Sequence, residues 1–379
     1  MRLSQHRINI LVVAAALATL CLAAACREEG NPPVGPGDST RYPPTGMPNW
    51  NDPRYDWIDL RDSACFEFDI TRSFWFAKFG FSVSDISPDG TRLLLRRGGE
   101  LLLFDTATHS VRSIFQGPLE NAAWSNNERF IACVRYPHGE PVVIDLQEDR
   151  WYDLPYPDSL GLFGAGIRWL PNDSSVVIIA GGKTPQTPSG HFAIDIHPPY
   201  TVRRVNIPKI SAYTFKGKQG YYLAIARNDG KGIYDVDLRI GAIGDTVDLA
   251  RYSLPGVTGY YHMRTSKDGN WLMAHIRADI RGSRFTNYLK SYKDIHALGV
   301  VDMRPGSPTQ YKLFRVFPDY TEDYRNCAEG YFDAAGAISP DGRYIYHERV
   351  KRSDSTTQIV KLNVVTGQAE EISNFLTSP

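Results

Sequence analysis

The sequence predicts an all-β fold, a β-propeller of six or seven four-stranded blades, on three observations. A hairpin signature recurs along the chain. A second turn marker follows each copy at a matching place. The composition, with Gly 32, Pro 25, Tyr 21, Phe 17 and Trp 7 in 379 residues, supplies turns and aromatic strands.

The hairpin signature is complete twice, as Ile86-Ser87-Pro88-Asp89-Gly90 and Ile338-Ser339-Pro340-Asp341-Gly342. Weaker copies are Trp124-Ser125-Asn126-Asn127, Trp169-Leu170-Pro171-Asn172-Asp173 and Thr265-Ser266-Lys267-Asp268-Gly269. The most degenerate is Lys216-Gly217-Lys218-Gln219-Gly220. Proline presets φ at the first corner, Asp or Asn bonds back to the backbone, and glycine supplies positive φ. One apolar strand enters this turn and another leaves it.

The second marker is an apolar residue followed by Asp or Asn: Phe104-Asp105, Ile144-Asp145, Ile194-Asp195, Val236-Asp237, Val301-Asp302 and Leu362-Asn363. Each is expected to end a third strand, and a β-like run such as Val111 to Phe115 follows. The unit is therefore four strands with two turn signatures. Longer intervals late in the chain place insertions at Arg277–Asp294 and Pro318–Asp333. A lone blade leaves two faces uncovered. Blades packed around an axis bury both, which accounts for unbroken apolar runs such as Leu93-Leu94-Leu95 and Val176-Val177-Ile178-Ile179. Two β-sandwich domains would show turn signals without repeating a two-marker unit. Residues 53–80, with Ile58-Asp59-Leu60 and Phe74-Trp75-Phe76, are expected either to close the last blade or to belong to a seventh.

These Ser-Pro-Asp-Gly hairpins resemble the WD40-like repeats of TolB-type periplasmic propellers, over roughly residues 80–375. The resemblance implies a fold and protein–protein work at a cell envelope. TolB-type proteins usually carry a further N-terminal α/β domain, which residues 27–50 cannot supply. Their own role is not carried over.

The start of the chain reads as an address. Arg2, His6 and Arg7 precede a run from Ile10 to Ala25 that is apolar except for Thr19. It ends in Leu22-Ala23-Ala24-Ala25-Cys26, which resembles the lipobox of bacterial lipoproteins, although leucine stands one position early. The expected organisation is a signal peptide at 1–25, a lipid-anchored disordered tether at 26–52 and a propeller at 53–379, with Cys26 as the lipidated residue. Plain secretion and an uncleaved anchor are the alternatives. The apolar run is shorter than the roughly 20 residues a spanning helix needs. The tether is rich in Pro and Gly and cannot bury a core. The expected location is the bacterial cell envelope, on the periplasmic or surface side of a membrane.

Lys+Arg 42 balance Asp+Glu 42, so nucleic acid is excluded as a partner for want of a basic face. Cys133 lies in an apolar strand and is expected to be buried and inert. Cys65 and Cys327 form a candidate disulfide, since an envelope permits oxidation. Neither G-x-S-x-G nor H-E-x-x-H occurs, and no phosphate loop is present. No cofactor or metal is expected.

Glu120 and His262 are candidate channel-mouth residues, each placed six positions before a turn Asx. His262 resembles in position a metal-ligand histidine of propeller oligogalacturonate lyases. The corresponding positions elsewhere are Val83, Gly166 and Ala335, and one His with one Glu does not make a metal site. The insertions offer candidate partner contacts. Arg281, Arg284 and Tyr288 form a basic-aromatic set. Tyr320, Tyr324 and Tyr331 lie among acids that could also hold calcium. The reading is a non-catalytic envelope lipoprotein whose propeller binds protein or glycan partners. The alternative is a lyase-like polysaccharide enzyme acting at the channel mouth. The sequence leaves the oligomeric state open.

Overall fold

Each copy of the repeat folds as an antiparallel meander. The computed structural model describes residues 46–47, 49–51, 53, 81–97, 99–135, 140–155, 160–182, 190–205, 212–216, 221–227, 236–242, 250–279, 294–318, 331–333, 336–351 and 357–373. The first blade is β1 (Phe81–Ile86), β2 (Arg92–Arg97), β3 (Glu100–Asp105) and β4 (Val111–Gln116), paired in that order. The second is β5 (Leu119–Trp124), β6 (Phe130–Arg135), β7 (Glu140–Asp145) and β8 (Arg150–Asp153). The third is β9 (Leu160–Trp169), β10 (Ser175–Gly182), β11 (Gly190–Asp195) and β12 (Val202–Val205). The fourth is β13 (Ala212–Lys216), β14 (Tyr221–Arg227), β15 (Val236–Ala242) and β16 (Ala250–Ser253). The fifth is β17 (Val257–Thr265), β18 (Trp271–Asp279), β19 (Asp294–Asp302) and β20 (Leu313–Pro318).

The last sheet holds β21 (Tyr331–Asp333), β22 (Ala337–Ile338), β23 (Tyr344–Lys351), β24 (Thr357–Asn363) and β25 (Ala369–Ser373). The fold is an all-β propeller with four-stranded blades. Among the described residues, five sheets are regular four-stranded blades, not the six or seven expected, and the remaining sheet has five strands. The reason is local. The expected insertion leads into this sheet, and its first edge is split between β21 and β22, which both pair with β23.

The turns form because their side chains close small circuits. Ser87 Oγ donates to Asp89 Oδ1 and accepts from Arg92 N at 2.9 Å, while Asp89 Oδ1 also accepts from Thr91 N at 3.0 Å. Gly90 sits at φ 79° and donates its N–H to Ser87 O. The same circuit joins Ser339, Asp341, Arg343 and Tyr344, and again Ser266, Asp268, Asn270 and Trp271. In the second blade Ser125 and Asn127 take these parts, and Glu128, at φ 67°, occupies the glycine slot. The second marker works as an Asx turn. Asp105 Oδ1 accepts from Ala107 N and Thr108 N, and Asn363 Oδ1 from Val365 N and Thr366 N. Five of the six markers end a third strand. Val236-Asp237 instead begins β15, so in that blade the dipeptide is an ordinary strand start.

The core lies between blades. Leu94, Leu101 and Leu103 pack with Ile131, Cys133, Val142 and Ile144 of the second blade. Their strand neighbours Leu93, Leu95, Leu102 and Phe104 turn the other way, onto Ala337, Tyr346, Ile359 and Ile372 of the last sheet. Period-two alternation thus buries both faces of the blade, at roughly 1.5–3 kcal/mol for each large apolar side chain. The second contact also closes the ring, first blade against last. Burial pushes the Cys133 thiol up to about 12, which leaves it an inert core residue as expected.

The far end of the expected tether is docked. Gly46 bridges Arg315 in parallel and donates to Phe314 O at 2.7 Å. Met47 packs on the core shared by the fourth and fifth blades, and Trp50 Nε1 donates to Asp279 O at 3.1 Å. The signal segment, Cys26, Cys65, Cys327 and the closing segment expected after residue 53 lie outside the described residues. No helix among the described residues is long and apolar enough to cross a membrane.

Candidate functional site: the axial mouth

The ends of the inner strands meet at one end of the axis, beside the Ser-Pro-Asp-Gly turns. They enclose a cavity of about 140 Å³. Counting back four residues from Asp89, Asn127, Asn172 and Asp268 gives Asp85, Ala123, Arg168 and Arg264, and all four line it, while Ala337, four before Asp341, is buried in the core instead. Trp124, Trp169, Lys267 and Pro340 complete much of the wall. Inner strands are irregular just before this point. The pairing register shifts between Val83 and Asp85 in β1, Leu119 and Ala122 in β5, and Tyr261 and Arg264 in β17. Such bulges re-aim side chains, here towards the axis.

Arg264 is buried. Its Nη2 crosses to the first blade and donates to Ser84 O at 2.9 Å, and Nη1 donates to Met263 O at 3.0 Å. Nε stands 4.0 Å from Asp85 Oδ1. Burial pulls the guanidinium down to about 9, Arg168 pulls in the same direction and Asp85 opposes them, so it stays cationic at neutral pH. Asp85 is itself engaged. Its Oδ1 accepts from Ile86 N at 3.0 Å and its Oδ2 from Trp124 N at 2.8 Å. Arg168 Nη1 donates to Ile167 O at 2.7 Å, and Lys267 Nζ to Pro88 O at 3.2 Å. Trp169 Nε1 donates to Ala123 O at 2.9 Å, fixing the third blade to the second. Arg92 stacks over the Trp124 ring at 5.0 Å.

The chemistry of this wall is that of an acceptor-seeking surface. Among the described lining residues, Arg168, Arg264 and Lys267 share one carboxylate, Asp85. A metal cation entering here meets repulsion from three side chains. Among the described residues, no group of three or more His, Cys, Asp or Glu is arranged to hold a metal.

The sequence-predicted residues fall as follows. Glu120 lies in β5 and His262 in β17, with their side chains outside the described set. Because Asn127, not Asn126, takes the Asp89 part, the residue of the second blade equivalent to His262 is Asn121, one beyond Glu120. Arg281, Arg284, Tyr288, Tyr320 and Tyr324 lie outside the described residues. Tyr331 opens β21, its backbone opposite Lys351. Asp85, Arg168 and Arg264 were missed. They stand two residues nearer the same turns, and in β1 and β17 a register shift that the letters do not show separates them from the positions predicted.

No family model matches the sequence, and no curated protein matches it. Solved structures do resemble it. The β-propeller domain of Cps50 (Swd1) from Myceliophteria thermophila is 14% identical, with 77% of this chain and 96% of that one covered and a TM-score of 0.45. TolB from Acinetobacter baumannii is 11% identical, with coverage of 76% and 64% and a TM-score of 0.44. Hydrazine synthase from Kuenenia stuttgartiensis is 15% identical, with coverage of 75% and 76% and a TM-score of 0.47. Each likeness is one of fold alone.

Proposed function

We propose that this chain is an exported, non-catalytic binding module of the bacterial cell envelope. It is lipid-anchored through Cys26 and holds a protein or glycan partner on its propeller. The split five-stranded sheet counts as a blade in this reading, giving a ring of six. The observation that carries the proposal is the axial mouth. Polar side chains from several blades converge there, and main-chain hydrogen bonds hold them before any partner arrives. Preorganised groups recognise without a reordering cost. The lipobox-like segment and the Pro-rich stretch after it support an anchored domain held off a membrane.

The test is capture from detergent-extracted membranes with the tagged full chain, beside membrane fractionation of Cys26→Ala. A reproducible envelope partner and release of Cys26→Ala into the soluble fraction are expected. Turnover of an acidic oligosaccharide by the purified chain, with no partner, would reverse the reading in favour of an enzyme. Retention of unprocessed Cys26→Ala in the membrane would make the first segment a true anchor.

A further inference from the structure

We propose that the axial cavity is an oxyanion site, in which Arg168 and Arg264 hold the carboxylate or phosphate of an anionic ligand. This rests on the reading of the axial mouth as a binding face and names the chemistry it recognises.

Three observations converge. First, the charges of the wall do not cancel. Arg168, Arg264 and Lys267 line the cavity with Asp85 as the one carboxylate among its described lining residues. Asp85 spends both oxygens on the amides of Ile86 and Trp124, and its nearest approach to the Arg264 guanidinium is 4.0 Å. Second, the excess charge is desolvated. Arg264 is buried, and Arg168 and Arg96 both disfavour its charged form. A buried cation with one carboxylate at 4.0 Å and other cations nearby is costly, and an entering anion offsets that cost in a medium where attraction is strong. Third, donors remain. A guanidinium carries five N–H groups, and Arg264 commits Nη1 and Nη2 to one carbonyl each. Those bonds fix the plane of the guanidinium, as bidentate recognition of a carboxylate or phosphate requires. A cavity of about 140 Å³ admits such a group with a short piece of its carrier. Trp124 and Trp169 then offer ring faces and edges to the carrier.

The experiment is calorimetric titration of the detergent-solubilised full chain at constant ionic strength, with succinate, inorganic phosphate and chloride in separate arms. Saturable binding of succinate or phosphate, one per chain, is expected, with chloride inert. The preferred arm identifies the oxyanion. Arg168→Gln is expected to weaken binding by about tenfold or more. Arg264→Lys, which keeps the charge but loses the fork, is expected to weaken it as well. Should Arg264→Lys not fold, Arg168→Gln decides alone. Binding no stronger than chloride, or wild-type affinity in Arg168→Gln, overturns the site. Failure here is separable from failure of the binding-module reading. If Arg168→Gln captures the same membrane partner but wild type binds neither anion, the oxyanion site falls and the module stands. If wild type binds the anion and captures no partner, the site stands and the partner reading falls.

Discussion

Asp85 and Trp124 join the first two blades where their inner strands end: the indole residue's backbone N–H donates to Asp85 Oδ2 at 2.8 Å. Asp85→Ala leaves that amide without its acceptor in a part-buried site. A loss of about 1–3 kcal/mol in urea unfolding is expected. Asp85→Asn keeps an acceptor oxygen and is expected to lose less. Equal stability of Asp85→Ala and wild type would show that the link holds nothing.

The Ser–Asp circuits of the turns are expected to be separately costly. Ser339→Ala removes the acceptor of Tyr344 N and the donor to Asp341. Loss of about 1 kcal/mol is expected, and the same from Ser266→Ala in the fifth blade. The two turns touch, since Asp268 N donates to Pro340 O at 3.3 Å, so the double variant is expected to depart from additivity. Strict additivity in denaturant unfolding would mean that the two turns act independently.

Glycine and glutamate occupy the same turn slot in different blades, and their exchange should have opposite signs. Gly342 has φ 70°, and a Cβ there would lie 1.8 Å from Trp271 Cδ1 of the neighbouring blade. Gly342→Ala is expected to cost about 2 kcal/mol or more. Glu128 holds φ 67° against its side chain's preference. Glu128→Gly should be neutral or stabilising by up to about 1 kcal/mol, since its 3.6 Å surface pair with Arg92 contributes little. Thermal unfolding of the two variants reads both effects.

His191 in β11 makes stability sensitive to mild acid. Burial lowers its imidazole from 6.5 to about 4. The unfolded chain therefore takes up a proton before the folded one does. This contribution is complete above pH 6.5 and is lost as pH falls towards 4, at a full size of roughly 3 kcal/mol. Urea midpoints measured from pH 7 to 4 should fall in wild type and fall less in His191→Phe. A second loss is expected below pH 4. Burial pushes the Asp302 carboxyl up, but donation from Arg304, Ser307 and Thr309 outweighs it and holds the group below the ordinary carboxylate range.

The repeat was legible because its turns are chemically expensive to replace. Ser, Asp and Gly each satisfy a specific backbone atom, so the same letters return wherever the same corner does. The blade faces were legible for a different reason. Burial on both sides leaves runs such as Leu93-Leu94-Leu95 with no polar member, and the structure divides them between two cores. The split sheet was not legible, because a strand as short as Ala337–Ile338 carries no period. The axial mouth was half legible. Counting back from the turns finds the right strand ends, but bulges in the inner strands decide which residue reaches the axis. A bulge leaves no mark in the letters around Ser84 or His262. Val236-Asp237 shows the converse, where familiar letters serve a different corner.

The attachment of Gly46 to β20 has a mechanical meaning. A pull on the amino-terminal arm would be met in the fifth blade by the Gly46 hydrogen bond to its outer strand β20 and the Trp50 hydrogen bond to the end of β18. The seam between the first blade and the last, held by side-chain packing, lies off that line of force. On the anchored reading proposed above, a force on that arm would load the fifth blade and spare the join of the ring.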